Sequence, residues 1–346
     1  MCWGWTGRSD HHRNTAGMIA LVTGSTGFIG AHLCRELCSL GIQVRAFHRP
    51  NSSTMLLDGM PVEHVTGDLT IPDSLLPALK DVDVLFHAGA ELSGKGGIAS
   101  LVKVNVDGTR AILDAALRQG VRRVVYTSSV AALGAPENRR GNIQQPSLLT
   151  ESHTWNLNPE HWRYGYSKYL SEMEVQYAVS KGLNVVIVNP AVVFGAGNIH
   201  RRYNSPVMLV ANRHLPVTVP AGMNIVHIRD VAAGHLAAWQ HGITGERYIL
   251  GAHNIEVTDL LKRIAQLTGG KAPQVSIPVF LARHLARFTK LAEVITRTPL
   301  DTSLLHLAGY RFFYDAGKAN KELQLPEPRP LDTCIQDTYE WFVRTA

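Results

Sequence analysis

The sequence predicts an α/β fold, with a doubly wound parallel sheet and a smaller, mainly helical C-terminal lobe that binds the substrate. Short apolar runs alternate with amphipathic segments over residues 18–190, which is typical of parallel strands joined by helices. A glycine-rich turn at residues 24–30 connects the first apolar run to the first amphipathic segment. The alternation stops near residue 191, where the chain becomes rich in Pro, Asn and Gly, and from residue 256 the pattern is mainly helical.

Each element follows from its own pattern of apolar residues. Short apolar runs predict strands at 19–23, 42–47, 61–66, 82–87, 122–127, 184–188 and 246–250. Helical periodicity predicts helices at 28–40, 73–80, 98–119 and 163–181. We therefore assign residues 18–190, with a return at 225–252, to a cofactor domain, and residues 191–224 and 253–346 to a substrate lobe. Residues 1–17 are polar and are predicted to form a loose extension.

The composition indicates a cytoplasmic enzyme. Of the 346 residues, 45% are hydrophobic, which is ample for a core, yet no apolar run approaches the length of a membrane span. The four cysteines have no C-x-x-C spacing, so we expect packing roles in a reducing compartment. The net charge of +6 comes without a basic run interleaved with aromatics, and the 16 histidines are scattered. We therefore expect neither a nucleic-acid partner nor a metal site.

The turn after the first predicted strand has the spacing G-x-x-G-x-x-G. Its glycines let backbone N–H groups approach a pyrophosphate, which then lies at the positive end of the following helix. A glycine-rich turn alone is weak support for this role, but here it joins a strand to a helix, as dinucleotide binding requires. The cofactor contacts predicted from the turn are Gly24, Thr26, Gly27, Phe28, Ile29 and Gly30.

Arg49 follows the second predicted strand, where an NAD-binding chain often carries an acid for the ribose hydroxyls. A guanidinium at this position can pair with a 2′-phosphate instead, so the sequence favours NADP, with NAD as the alternative. Arg49 could also be an ordinary surface arginine.

Two further segments stand at the carboxyl ends of predicted strands, the edge at which ligands bind in such sheets. Asp68 and Leu69 follow the third strand, where they could contact the adenine. The fourth strand ends in His87, Ala88 and Gly89. The small side chains in this segment would allow the cofactor to contact the backbone. Simple turns are the alternative, but the coincidence at two successive strand ends favours cofactor contact.

Tyr164 and Lys168 stand four residues apart on a predicted helix, which places them on one face. Free tyrosine and lysine both titrate near pH ~10, but the lysine charge favours the phenolate and makes the tyrosine a usable acid or base. The fifth predicted strand runs into Ser128 and Ser129, whose hydroxyls could bond a substrate oxygen. Serines after a strand are ordinarily turn formers. The glycine turn, the serines and Tyr-x-x-x-Lys follow one another in this order along the chain, and this order favours a catalytic role for the serines and the pair.

From Met18 to Trp341, the chain resembles the extended short-chain dehydrogenase/reductase family. The cofactor domain of that family is a Rossmann fold. The matching stretches are 23–30, 67–69, 104–109, 126–129, 164–168, 189–190 and 227–232. Residues 188–195 and 245–251 are similar to the dihydroflavonol-4-reductase-like branch, which includes proteins named hopanoid-associated sugar epimerases. Many nucleotide-sugar epimerases carry Arg where this chain has Asn189, and this departure weakens a sugar-nucleotide assignment.

The resemblance implies roles for individual residues. Ser129 matches the catalytic serine, Tyr164 the acid/base, and Lys168 the residue that binds ribose and tunes the tyrosine. Asn105 matches an asparagine that supports the lysine or a relay water. The segment from Pro190 to Val193 matches the nicotinamide lining. Family members are frequently dimers, so a homodimer is possible.

The function expected from these features is NADP-dependent hydride transfer to or from a carbonyl or secondary alcohol of a largely apolar small molecule. A nucleotide-sugar epimerase or dehydratase is the main alternative. Arg201, Arg202 and Arg213 could then pair with a diphosphate, although solvated loop charges are the plainer interpretation. A regulator that senses NADP without chemistry is more remote, because Tyr164 and Lys168 are both present.

The substrate is expected between three segments whose Leu, Trp, Met and Val content is apolar: Glu91 to Gly97, 130–160 and 191–225. The stretch 279–295 has an apolar stripe that could touch a membrane or a partner. A packed helix face in the lobe is the commoner reason for such a stripe.

Overall fold

The computed structural model describes residues 17–92, 97–137, 147–199, 205–284 and 306–345. Almost all of the expected N-terminal extension lies outside these ranges. Arg201, Arg202 and the part of the apolar stretch beyond residue 284 lie outside them as well.

The described chain alternates strands and helices. The strands are β1 (Ile19–Thr23), β2 (Gln43–His48), β3 (Val62–Thr66), β4 (Val84–His87), β5 (Arg123–Thr127), β6 (Val185–Pro190), β7 (Val192–Phe194), β8 (Val217–Thr218), β9 (Gly222–His227), β10 (Arg247–Leu250), β11 (His253–Glu256) and β12 (Val275–Ser276). The α-helices are α1 (Phe28–Ser39), α2 (Leu75–Ala78), α3 (Gly97–Leu101), α4 (Gly108–Arg118), α5 (Arg163–Ser180), α6 (Pro206–Ala211), α7 (Ile228–His241), α8 (Val257–Thr268), α9 (Gly317–Glu322) and α10 (Leu331–Arg344).

Seven strands form one parallel sheet in the order β10-β6-β5-β4-β1-β2-β3. The chain begins in the middle at β1, runs outward to β3, and returns to β4 on the other side of β1. This reversal opens a crevice at the carboxyl ends of β1 and β4, where open α/β sheets bind ligands. The predicted doubly wound parallel sheet is confirmed.

The central strands bury both of their faces, which explains their continuous apolar runs. In β6, Val186 and Val188 lie in one apolar core, whereas Val185 and Ile187 lie in the other. Helices α1 and α7 pack together over the first core. Helices α4 and α5 pack together over the second. The sheet is therefore a rigid middle layer that fixes the positions of the loops at its carboxyl edge.

Two predicted helices differ from the observed ones. The helix predicted at 98–119 is interrupted between α3 and α4 by a π-helix over Val102–Asp107. Such insertions are frequent at functional sites, and this one contains Asn105. The helix predicted at 73–80 shortens to α2 behind a 3₁₀ turn at Pro72–Ser74, because Pro77 has no N–H to donate to the carbonyl of Asp73.

The C-terminal part combines a helical core with short strands. Helices α6, α8 and α10 pack together around a third apolar core that includes Val210, Ile264 and Ile335. Strands β7, β9 and β11, none of which the sequence analysis predicted, form a separate three-stranded sheet, and β8 pairs with β12. Across the described ranges, every helix is too short or too polar to span a lipid bilayer.

Candidate active site

The glycine turn after β1 lies directly against the end of β4. Gly24 has a φ of +64°, and a Cβ built on it would lie 2.7 Å from the Cα of Gly89. A Cβ on Gly30 would lie 2.2 Å from the carbonyl oxygen of Gly24. Side chains at these positions would therefore separate the turn, the helix and the strand end. Glycine is needed at positions 24 and 30 because the backbone segments pack too closely there to admit a Cβ.

Helix α1 begins at this turn with its positive end uncovered by side chains. Gly27 is the N-cap, so no side chain caps the helix, and its first turn contains no acid. The Ser25 hydroxyl points the other way and donates to the Phe47 carbonyl at 3.1 Å. The first N–H groups of a helix need external acceptors, and a pyrophosphate supplies them. The turn and the start of α1, from Gly24 to Gly30, form a cradle of backbone donors that could receive a pyrophosphate.

Arg49 and Asp68 both lie on the same edge as this cradle, because β2 and β3 run parallel to β1. Arg49 is exposed and begins a turn in which its carbonyl accepts from the Ser52 N–H at 3.0 Å. Asp68 accepts with Oδ1 from the Thr70 N–H and hydroxyl, both at 2.8 Å. Leu69 packs between strand ends, since its side chain lies 3.0 Å from a Cβ built on Gly89.

The imidazole of His87 points into the core. Its Nδ1 lies 2.7 Å from Oγ1 of Thr23 and its Nε2 lies 3.1 Å from Oγ1 of Thr109. The side chain is 1% exposed, and this burial lowers its pKa to about 3, with the nearby Lys168 charge acting in the same direction. Any cofactor contact from His87 is therefore limited to its backbone, and the remaining contacts of the segment would come from Ala88 and Gly89.

Lys168 lies one turn after Tyr164 on α5 and reaches the end of β5. Its Nζ donates to the hydroxyl of Tyr126 at 2.7 Å and to the carbonyl of Thr127 at 2.8 Å. The lysine is 2% exposed, and burial lowers its pKa to about 7, against the opposing effect of Glu172. Tyr164 is partly exposed. A buried ammonium with a lowered pKa thus lies one helical turn after a partly exposed phenol, and this spacing is suited to proton exchange.

Ser129 follows β5 directly and begins the 3₁₀ turn Val130–Leu133. Its Oγ accepts from the Ala131 N–H at 3.2 Å, which fixes the orientation of the side chain. Pro190 ends β6 beside this turn, because β6 pairs in parallel with β5, and Val193 follows three residues later in β7. The strand pairing therefore brings the predicted serine and the predicted nicotinamide segment to neighbouring strand ends.

Asn105 joins the loop after β4 to helix α5. Its Oδ1 accepts from the Glu91 N–H at 2.7 Å, and its Nδ2 donates to the Glu91 carbonyl and to Ser167 Oγ, both at 2.9 Å. The Ser167 hydroxyl in turn donates to the carbonyl of Tyr164 at 2.8 Å. Asn105 therefore supports the helical turn that contains Tyr164 and Lys168.

A buried carboxylate that the sequence analysis missed lies behind the serines. Glu172 is 0% exposed and pairs through Oε2 with Nη2 of Arg247 at 2.6 Å. Its Oε1 accepts from the Ser128 hydroxyl and from Nδ2 of Asn189, the latter at 2.8 Å. Asn189 also donates to the Ser129 carbonyl at 3.0 Å. The spacing of Glu172 from Lys168, one further helical turn, was the available sequence signal.

The described cysteines have packing roles. Burial raises the pKa of Cys34 and of Cys334 to about 12, so both thiols stay protonated at neutral pH. Within the parts of the chain that the structure describes, no group of three or more His, Cys, Asp or Glu side chains could hold a metal ion.

Comparison with known proteins identifies the family of the chain. A model of the NAD dependent epimerase/dehydratase family matches residues 20–251. A putative dihydroflavonol 4-reductase from Synechocystis sp. is 36% identical over 93% of this chain and 93% of that protein. Sterol demethylase protein B from Methylococcus capsulatus is 33% identical over 94% of this chain and 98% of that protein. The structure of a nucleoside-diphosphate-sugar epimerase from Pseudomonas aeruginosa matches with a TM-score of 0.78 at 26% identity, covering 95% of this chain and 99% of that one. The chain is therefore an enzyme that belongs to the NAD dependent epimerase/dehydratase family.

Proposed function

We propose that the protein is an NADP-dependent oxidoreductase that moves a hydride between the nicotinamide and a carbonyl or secondary alcohol carbon of a small, largely apolar substrate. The main support is the arrangement at the end of β5, where Ser129 follows the strand and Lys168 bonds the Thr127 carbonyl. Tyr164 lies one turn before that lysine on α5. A hydroxyl, a phenol and an ammonium thus belong to one end of the sheet, beside the dinucleotide cradle.

The protein groups handle the proton. In the reducing direction, Tyr164 donates a proton to the alkoxide that develops on the substrate, and Ser129 donates a hydrogen bond to the same oxygen. Lys168 stabilises the phenolate that Tyr164 becomes, because a nearby positive charge favours the ionised form. The nicotinamide supplies or accepts the hydride. Asn105 keeps the tyrosine and lysine in register through Ser167.

The residues of the cradle suggest how the cofactor is held. The N-terminus of α1 would bind the pyrophosphate, and Arg49 would pair with the 2′-phosphate that distinguishes NADP from NAD. Pro190 and Val193 would line the nicotinamide. Arg49 is exposed and Ser52 lies in its turn, so a phosphate could reach both.

The names of the relatives support a reductase. The relative from Synechocystis sp. is named a putative dihydroflavonol 4-reductase, and the alignment spans nearly all of both chains. From this name we infer that the substrate of the present protein is a ketone or aldehyde that is largely apolar.

A sugar-nucleotide epimerase or dehydratase is the second candidate, favoured by the likeness to the Pseudomonas aeruginosa epimerase structure. Of the three arginines considered for a diphosphate, Arg213 lies in the described chain, exposed, after α6. Asn189 weighs against this candidate, because its Nδ2 donates to Glu172 and to the Ser129 carbonyl.

The proposal is tested by incubating the purified protein with a panel of apolar ketones, aldehydes and alcohols and with either NADPH or NADH. We expect carbonyl-dependent NADPH oxidation that exceeds NADH oxidation. Tightly retained NAD, with isomerisation of a sugar nucleotide and no net redox change, would favour the epimerase. If the protein bound NADP but turned over none of the ketones, aldehydes, alcohols or sugar nucleotides, this result would indicate a regulator. The mass of the protein in solution, measured by light scattering, tests the proposed homodimer.

A further inference from the structure

A continuous line of buried polar side chains connects Lys168 to the glycine turn. Its members come from β1, β4, β5 and α4 as well as α5, and each is at most 2% exposed: Thr23, His87, Thr109, Tyr126 and Lys168. Polar groups of this kind in a core are costly unless every one is paired. The proposed mechanism assigns a role only to the lysine.

The contacts form an ordered chain. The Gly89 N–H donates to Thr23 Oγ1 at 3.1 Å, and this hydroxyl lies 2.7 Å from Nδ1 of His87. Nε2 of His87 lies 3.1 Å from Thr109 Oγ1, and the rings of His87 and Tyr126 are in contact, with their centroids 5.5 Å apart. Because Gly89 can only donate, Thr23 can donate to Nδ1 and a neutral His87 can donate to Thr109. Thr23 and His87 are then each satisfied in one direction.

Tyr126 is where this chain meets the lysine. Its hydroxyl accepts from Lys168 Nζ at 2.7 Å, and the same Nζ lies 4.4 Å from the centre of its ring. The Ser171 hydroxyl, which donates to the carbonyls of Asn105 and Ser167 at 2.7 Å, acts to lower the pKa of the phenol. The other titratable groups that act electrostatically on this pair are His87 on β4 and Tyr164 and Glu172 on α5. Of these, Glu172 favours the charged lysine and His87 becomes a repelling charge only when protonated.

We propose that Tyr126 is a positioning residue for Lys168: its hydroxyl holds the ammonium at the end of β5 and thereby favours the charged lysine that Tyr164 requires. This inference rests on the proposed function. A phenol hydroxyl that accepts from an ammonium stabilises the charged form, whereas the buried surroundings oppose it. Tyr126 therefore offsets part of the effect of burial on the lysine.

The test is Tyr126→Phe, which keeps the ring and deletes the hydroxyl. The first measurement is the titration of Lys168 by NMR of ¹³C-labelled lysine, with the signal assigned by its loss in Lys168→Met. We expect the pKa of Lys168 to fall by about one pH unit in Tyr126→Phe, the size expected for one hydrogen bond to a charged group. Tyr248→Phe is the matched control, because Tyr248 is also buried and its hydroxyl is bonded, to Glu322 at 2.9 Å.

The second measurement is the pH dependence of alcohol oxidation, which requires the Tyr164 phenolate. Its midpoint should move up by a similar amount in Tyr126→Phe and stay in place in Tyr248→Phe. An unchanged Lys168 titration in Tyr126→Phe would overturn the inference, even if the variant lost activity. A shifted titration in a protein that turns over no carbonyl or alcohol would uphold the positioning role and refute the proposed function instead. The two ideas are thus tested separately.

Discussion

Replacing the buried carboxylate Glu172 with glutamine should lower the stability of the whole sheet. The side chain is fully buried between α5, β6 and β10, where it pairs with Arg247 at 2.6 Å. Glutamine has the same shape but no charge. The change therefore leaves the guanidinium without its counter-charge while disturbing the packing little.

The magnitude follows from what the carboxylate contacts. Breaking a buried ion pair by removing one partner costs about 3–5 kcal/mol. The Arg247 side chain is 18% exposed, so water can solvate part of the charge left behind, and the amide oxygen of glutamine can still accept from Ser128 or Asn189. We therefore expect Glu172→Gln to lower the free energy of unfolding by about 3 kcal/mol, at the lower end of that range.

Urea unfolding followed by circular dichroism measures this loss, and Glu174→Gln on the same helix is the matched control. Glu174 pairs with Arg110 at 2.7 Å, but that arginine side chain is 50% exposed. Exposed pairs contribute less than about 1 kcal/mol. Equal losses in the two variants, or a loss below about 1 kcal/mol for Glu172→Gln, would refute the assignment of Glu172 as a buried anchor.

Three further predictions concern the cofactor cradle and the core. In Gly30→Ala the new Cβ would meet the Gly24 carbonyl, 2.2 Å away in the unrelaxed backbone. We therefore expect NADPH to bind at least tenfold more weakly, as measured by calorimetry. An unchanged affinity for NADPH would contradict the role of the cradle. Arg49→Ala should weaken the binding of NADPH at least tenfold and leave the binding of NADH unaffected. If the ratio of the two affinities stayed constant, the assignment of NADP as the cofactor would lose its basis. Burial lowers the pKa of His32 and His235 to about 4 and that of His87 to about 3. These residues are neutral in the fold but take up protons when unfolded below pH ~6.5, so stability should be full above that pH and fall from pH ~6.5 towards ~4, by up to about 1.4 kcal/mol per pH unit for each histidine. A flat free energy of unfolding over that range would contradict the burial of these rings.

The middle of the sheet was predictable because its central strands, such as β4 and β6, are buried on both faces. Runs such as Val185–Val188 are apolar at every position, which sets a strand apart from its flanking helices without any tertiary information. The short strands β7, β9 and β11 lack this signal, since they lie in a segment rich in Pro, Gly and Asn. The π-helix at Val102–Asp107 was not predictable either, because its apolar pattern is compatible with one continuous α-helix.

The site was predictable where it depends on local spacing. The separation of Tyr164 and Lys168 and the glycines of the first turn are properties of single segments. The contact between Lys168 and Tyr126 depends on the direction of a long side chain, and the pair of Glu172 with Arg247 depends on β10 lying beside β6. These contacts join residues far apart in the chain, so only the assembled fold specifies them.

The central claim is that Tyr164 transfers the proton, and Tyr164→Phe tests it most directly. The variant lacks only a hydroxyl on a partly exposed side chain, so it should fold and bind NADPH as the wild type does. With a carbonyl substrate from the panel, single-turnover kinetics should show the reduction rate falling by about 10²–10⁴-fold, the usual contribution of a general acid. A reduction rate close to that of the wild type, with NADPH bound, would contradict the account.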